Sequence, residues 1–137
     1  MAEITLRQIE HHMMAASDSH GHSIVIGRSP TDHENWVGVK PSDLFLISVA
    51  ACATYDVVEI LNKRQEPYRE LVVSCTGDQK ENPPYTFTRI HLLFRLRGDV
   101  NPEQLGRAIR LSVEKYCSVI STIRPDVPVT SSYEIIH

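Results

Sequence analysis

The alternation of hydrophobic and polar residues predicts short strands at the start of the chain. Ile4, Leu6 and Ile9 are interleaved with polar residues, and a β-prone segment follows at Ser23–Ile26. Residues 27–40 are polar and show little periodicity, which is typical of a loop. We therefore expect strands in the first part of the chain, followed by a loop.

A second group of strands is predicted in the other half of the sequence. Residues 71–75 are apolar and β-prone, and residues 129–136 form a last strand. Residues 85–97 alternate cleanly, with Ile90 and the other apolar residues on one face and His91 and the arginines on the opposite face. This pattern predicts a strand with one buried and one solvated face.

Two helices are predicted between these strands. The first begins at Pro41, a residue suited to the first helical position, and residues 44–61 are apolar on nearly every face until the last turns. Such a helix is expected to be buried all round. The second begins at Asn101 and Pro102, has apolar residues at three- and four-residue spacing, and is expected to end near Arg124.

The order of these elements indicates an α+β fold rather than alternating βαβ units. The length of 137 residues suits one domain, so residues 1–137 are predicted to form a single domain. A helix that is apolar on every side is difficult to cover in a domain of this size. A partner subunit would cover it, and we therefore expect a homodimer.

Composition excludes several functions. Apolar residues make up 42% and charged residues 23% of the chain, an ordinary globular balance, and the net charge is −3. The sequence contains no block of basic residues, so nucleic-acid binding is not predicted. The longest apolar run, residues 44–53, is shorter than a membrane span requires, and the opening residues do not form a secretory signal. An odd number of cysteines, three, fits a reducing cytoplasm.

Two of the cysteines are candidates for redox chemistry. Cys52 lies in the middle of the first predicted helix between small residues, and Cys117 lies near the middle of the second. The two thiols form a redox pair if the helices pack together, but spacing alone does not show that they touch. A buried structural cysteine is the alternative interpretation of Cys52, because a thiol packs as a small hydrophobe. Cys75, in a strand, is interpreted as a packing residue.

Histidines crowd the first strands, at His11, His12, His20 and His22. Imidazoles at alternate strand positions can share a metal ion. A polar strand face and a turn explain the same residues, and this second interpretation is favoured because no carboxylate or cysteine recurs nearby at ligand spacing. We therefore predict no metal site.

Several segments together resemble the OsmC/Ohr superfamily, and most closely its less characterised OsmC-like (YhfA-type) branch. The resemblance covers the chain from about Gly21 to Ile136 and includes both cysteine motifs in the same order. The segments that carry it are residues 41–44, 50–52, 56–58, 87–92 and 114–119.

The resemblance implies an intertwined homodimer, in which antiparallel β-sheets wrap two long central helices and the active sites lie at the subunit interface. It also implies a thiol-dependent peroxidase that reduces organic hydroperoxides. Cys52 corresponds to the peroxidatic residue and Cys117 to the resolving residue. The resulting disulfide is reduced by an external dithiol, and no metal, flavin or haem is required.

The residues that activate the thiol differ from the pattern of the better-known members. Those members carry an arginine in an N-terminal strand, but residues 12–22 contain none here. Ser42 occupies the position of their supporting glutamate, with Asp43 next to it. Asp56 lies one helical turn after Cys52, where a carboxylate disfavours the thiolate. These differences leave two alternatives open: a non-catalytic ligand-binding or redox-sensing protein, and a stress protein with inert thiols.

Overall fold

A computed structural model describes all 137 residues of the chain. The residues form two compact units, 1–45 and 46–137. Two three-stranded sheets and the helices give a mixed α+β architecture, which confirms the predicted fold class. The single domain and the homodimer remain predictions.

The first unit contains an antiparallel sheet in the order β1 (Thr5–Glu10), β2 (Met13–Ser17) and β3 (Ser23–Ile26). The loop at residues 27–40 forms two isolated β-bridges within the first unit, one of them between Ile26 and Val39. A Cβ atom on Gly38 would lie 2.7 Å from the backbone nitrogen of Gly27. Glycine is therefore required where the loop returns along β3.

The second unit contains a sheet in the order β4 (Tyr68–Gln79), β5 (Phe87–Gly98) and β6 (Val129–Ile136). Strands β4 and β5 are antiparallel, as expected, whereas β6 runs parallel to β5. The parallel pairing arises because a long helical crossover returns the chain to the same end of the sheet. The predicted alternation in β5 is confirmed. The buried face carries Ile90, Leu92, Phe94 and Leu96.

Helix α1 (Pro41–Lys63) has the predicted proline start, and Lys63 lies in its last turn. Its buried positions recur every four residues, at Val49, Ala53, Val57 and Leu61.

The prediction that α1 is buried all round is wrong for the single chain. Ile47 is 51% exposed and Tyr55 is 78% exposed. One chain supplies neighbours for only one stripe of a helix whose other faces are also apolar. The length and composition of α1 would also allow it to cross a membrane, although its uninterrupted apolar run is short. Core helices of soluble proteins share this property, so it does not by itself place the chain in a membrane.

The second predicted helix is interrupted. Asn101 caps the start of helix α2 (Pro102–Leu111), because its side-chain oxygen accepts hydrogen bonds from two backbone N–H groups. A π-helical turn (Ser112–Tyr116) follows, and Cys117 then has extended backbone angles, φ −71° and ψ 111°. The chain continues in the short helix α3 (Ser118–Thr122).

The expectation that Cys117 lies within a continuous helix is therefore wrong. Its N–H donates a 2.9 Å hydrogen bond to the carbonyl oxygen of Ser112, five residues earlier, which ends the π-helical turn. Such turns are rare and occur frequently at functional sites.

Candidate active site

Cys52 is half-buried in the middle of α1, within the second unit. Its Sγ atom lies 3.7 Å from the hydroxyl oxygen of Ser118, the first residue of α3. The neighbouring residues, Ala51 and Ala53, add little bulk around the sulfur. The thiol therefore combines partial solvent access with hydrogen-bond donors from the segment around α3.

Hydrogen bonds lower the pKa of Cys52 below that of an ordinary thiol. Burial is the largest single influence and raises this pKa, but several donors together outweigh it. The strongest donor is the backbone N–H of Val119, followed by the Cys117 thiol and by the hydroxyl and N–H of Ser118. Donors of this kind favour the thiolate because they bond to the charged form. All of the groups that favour the thiolate here are uncharged.

Cys117 is only 2% exposed, and its environment has the opposite effect on its thiol. Burial, reinforced by the hydrogen bond and the charge of Cys52, raises the pKa of Cys117 to about 11. Its Sγ atom also accepts a 3.4 Å hydrogen bond from the N–H of Ile120. The two predicted cysteines therefore lie close enough to influence each other: the Cys117 thiol lowers the pKa of Cys52, and Cys52 raises the pKa of Cys117.

Asp56 contacts the segment that leads to Cys117. Its carboxylate accepts a 3.0 Å hydrogen bond from the hydroxyl of Ser112, which also lies 2.9 Å from the carbonyl oxygen of Ala53. Asp56 of α1 therefore links α1 to the π-helical turn through Ser112. It also lies one helical turn after Cys52.

Ser42 and Asp43 lie in the first turn of α1, within the first unit. Ser42 is half-buried, whereas Asp43 is exposed. Their predicted role in supporting the site stays a prediction, as do the catalytic roles of the two cysteines.

A groove of about 650 Å³ opens between α1 and α2. Its lining includes Asp56 and Ile60 from α1, Gln104 and Arg107 from α2, and Tyr116. The side-chain oxygen of Gln104 is buried and accepts no hydrogen bond. The groove therefore offers charged groups to a small ligand.

The remaining candidates have ordinary structural partners. Cys75 lies in β4 opposite Leu92, and burial raises the pKa of its thiol. Several histidines of the first unit contact other side chains. The rings of His11 and His33 stack on Trp36 at centroid distances of 4.2 and 3.9 Å, and His22 Nδ1 lies 2.7 Å from the carboxylate of Asp18.

Three residues at this site were not predicted from the sequence: Ser112, Ser118 and Val119. Ser112 did carry a signal, because it is a polar residue within the apolar stripe of the second predicted helix. A buried hydroxyl needs a hydrogen-bond partner, so a serine at that position indicates a specific contact. Ser118 and Val119 gave no such signal, because they approach Cys52 only when the helix breaks at Cys117.

Comparison with known proteins places these features in a family. The family described as OsmC-like protein matches residues 31–132, and the chain belongs to it. The predicted superfamily is therefore confirmed.

Individual relatives show the same relationship. Protein YhfA of Escherichia coli K12 is 33% identical over 117 residues, which cover 85% of this chain and 84% of YhfA. The OsmC-like protein of Mycoplasma pneumoniae is similar in structure, with a TM-score of 0.84 at 17% identity, and covers 100% of this chain and 98% of its own. The organic hydroperoxide resistance protein OhrB of Bacillus subtilis has a TM-score of 0.66 at 17% identity, with 98% of each chain covered.

Proposed function

We propose that this protein is a thiol-dependent peroxidase that reduces organic hydroperoxides, with Cys52 as the peroxidatic and Cys117 as the resolving residue. The observation that carries the proposal is the position of Cys52 against the segment at Cys117: its Sγ atom lies 3.7 Å from the Ser118 hydroxyl, and the Cys117 thiol and neighbouring N–H groups lower its pKa. Membership of the OsmC-like family, and the name of the structurally similar OhrB, agree with this chemistry.

The first step converts Cys52 to a sulfenic acid. The thiolate attacks one oxygen of the hydroperoxide, an S–O bond forms, and the O–O bond breaks. The departing alkoxide takes up a proton and leaves as an alcohol. The hydrogen-bond donors around Sγ increase the ionised fraction of Cys52 before the attack, which matters because a thiolate and not a thiol is the nucleophile.

The second step joins the two cysteines. The sulfur of Cys117 attacks the sulfur of the sulfenic acid, an S–S bond forms, and the S–O bond breaks. The hydroxide leaves as water with the proton of Cys117. An external dithiol then reduces the disulfide and becomes oxidised itself. We propose a homodimer with active sites at the subunit interface and a location in the reducing cytoplasm, where such a reductant is present.

A second candidate function is ligand binding or redox sensing without turnover. The groove between α1 and α2, with its charged lining, favours it. The absence of an arginine in residues 12–22 also favours it. A sensor would consume about one equivalent of peroxide for each subunit, because a thiol used stoichiometrically is not regenerated.

The decisive experiment is the reduction of cumene hydroperoxide with dihydrolipoamide as the reductant. We expect many turnovers for the wild type and for the matched control Cys75→Ser, and none for Cys52→Ser. Unchanged turnover in Cys52→Ser would rule out the peroxidatic role. A single equivalent in the wild type would instead support the sensor, and a ligand screen of the groove would follow.

A further inference from the structure

We propose that Ser112 is a positioning residue for the step that joins Cys52 and Cys117, an inference that rests on the proposed peroxidase function. Its side-chain hydroxyl donates hydrogen bonds to α1, and its backbone carbonyl oxygen accepts a hydrogen bond from the N–H of Cys117. Ser112 therefore links the helix that carries one cysteine to the backbone that carries the other.

The burial of Ser112 is the first argument. It is fully buried, with 0% exposure, and is the one polar residue in the buried set. An unpartnered hydroxyl in such a place is unfavourable. The hydroxyl proton of Ser112 is shared between the carbonyl oxygen of Ala53 at 2.9 Å and a carboxylate oxygen of Asp56 at 3.0 Å. These acceptors lie one and four residues after Cys52 on α1.

The backbone of Ser112 supplies the second argument. Its carbonyl oxygen accepts the 2.9 Å hydrogen bond from the N–H of Cys117 that closes the π-helical turn. A regular α-helix would pair this N–H with residue 113 instead. A shift of one residue turns a side chain by about 100°, so the π-helical turn determines the direction in which the Cys117 thiol points.

Together these contacts form one chain of bonds from α1, through Ser112, to Cys117. The attack of Cys117 on the sulfenic acid of Cys52 requires the two sulfur atoms to meet in a defined geometry. Loosening the π-helical turn would leave both cysteines present but reduce the fraction of time in which they are aligned. The resolving step should therefore be more sensitive to Ser112 than the first oxidation.

The test is rapid mixing with one equivalent of cumene hydroperoxide, with separate measurement of Cys52 oxidation and disulfide formation. Loss of one hydrogen bond predicts that Ser112→Ala slows disulfide formation about tenfold, with a smaller effect on the first oxidation. A purely structural role would lower thermal stability and leave the ratio of the two rates unchanged. That result in a folded Ser112→Ala variant would overturn the proposal.

A second pair of variants decides the matter if Ser112→Ala does not fold. Asp56→Ala removes one of the two acceptors, whereas Asp56→Asn keeps an oxygen acceptor. We expect Asp56→Ala to slow disulfide formation and Asp56→Asn to restore it largely. Equal rates in Asp56→Ala and the wild type would contradict the role of this contact.

An equilibrium measurement separates this inference from the proposed function. The ratio of dithiol to disulfide in glutathione buffer does not require peroxide, and we expect it to shift toward the dithiol in Ser112→Ala. Absence of peroxide reaction in the wild type would refute the peroxidase. A wild-type disulfide with no shift in Ser112→Ala would refute only the positioning role.

Discussion

The Sγ atom of Cys52 lies 3.7 Å from the hydroxyl oxygen of Ser118, across the contact between α1 and the segment after Cys117. This hydroxyl is one of the donors that lower the pKa of Cys52, together with the backbone N–H of Val119. The thiolate in this chain is therefore stabilised by a group of neutral donors from one short segment.

Removal of the Ser118 hydroxyl should raise the pKa of Cys52. We expect Ser118→Ala to slow the alkylation of Cys52 by iodoacetamide several-fold at neutral pH, because a smaller fraction of the thiol is ionised. The measurement is the alkylation rate as a function of pH in a Cys75→Ser background. Ser118→Thr keeps the hydroxyl and should retain the wild-type profile. Identical profiles for Ser118→Ala and the wild type would exclude this hydrogen bond as a cause.

Two substitutions of Cys117 should separate its two roles. Both Cys117→Ser and Cys117→Ala remove the resolving sulfur, so the sulfenic acid of Cys52 should persist and react with dimedone. Cys117→Ser keeps an O–H donor beside Cys52, whereas Cys117→Ala does not. The first oxidation should therefore be faster in Cys117→Ser, because its Cys52 remains more ionised.

Mass spectrometry of the oxidised protein tests whether Cys117 is the resolving residue. If an intramolecular disulfide still forms in Cys117→Ser, Cys75 is the resolving residue. The structure argues against that result, because Cys75 lies in β4 opposite Leu92, whereas Cys117 directly precedes Ser118, whose hydroxyl lies 3.7 Å from the Sγ atom of Cys52.

Local sequence patterns predicted most of the fold, because they reflect which side chains face solvent and which backbone conformations neighbouring residues allow. The alternation in β5 and the proline starts of α1 and α2 are such patterns. The break at Cys117 was not predicted, because it depends on Ser112 contacting residues far away in the sequence. The apolar residues from Leu105 to Ile120 continue a helical period through the break.

The candidate site was also predicted only in part. A resemblance in sequence identified Cys52 and Cys117, but the donors around Cys52 include backbone N–H groups, which every residue other than proline possesses. A sequence cannot show which of these groups point at a sulfur. The groups that lower the pKa of Cys52 are neutral donors, so the absence of an arginine from residues 12–22 did not indicate them.

Neighbouring residues on β5 should differ sharply in their effect on stability. Leu96 is fully buried, whereas Arg95 lies on the opposite face with its side chain 49% exposed and paired with Glu134 at 3.3 Å. We expect Leu96→Ala to lower the free energy of unfolding by about 2–5 kcal/mol. Arg95→Ala should change it by at most about 1 kcal/mol, because exposed ion pairs contribute little. Urea unfolding measures both, and similar losses would contradict the assigned faces.

The turn between β2 and β3 should respond to acid through Asp18. Backbone and side-chain hydrogen bonds from His22, and one from the N–H of His20, lower the pKa of Asp18 to about 2. The unfolded chain has the ordinary pKa of about 3.8, so the unfolded state binds the proton more tightly. The stabilisation is therefore present above about pH 4 and is lost as the pH falls toward 2.

The variant Asp18→Asn should remove this part of the pH dependence. Thermal unfolding between pH 2 and pH 5 should show a flatter slope than the wild type. Asp32→Asn, at another exposed position of the first unit, is the matched control for the loss of one carboxylate. An unchanged slope in Asp18→Asn would mean that the hydrogen bonds of this turn do not contribute to acid sensitivity.

The exposed face of α1 provides a test of the expected homodimer. Ile47 and Tyr55 are eight residues apart and therefore lie on one helical face, where they are 51% and 78% exposed in the single chain. Exposed apolar groups on a long helix are typical of surfaces that another chain covers. We expect Ile47→Glu to shift a wild-type dimer toward monomer, because a buried interface would have to accommodate an unpaired charge.

Light scattering across a range of concentrations measures this shift. Val72→Glu is the control, because Val72 in β4 is an apolar residue of similar exposure, 47%, on another element. A monomeric wild type would rule out the dimer itself, whereas a dimer that survives Ile47→Glu but not Val72→Glu would move the interface from α1 to β4. Peroxide turnover measured on the same samples would then show whether the site requires the partner subunit, because an interface site should lose activity in step with dissociation.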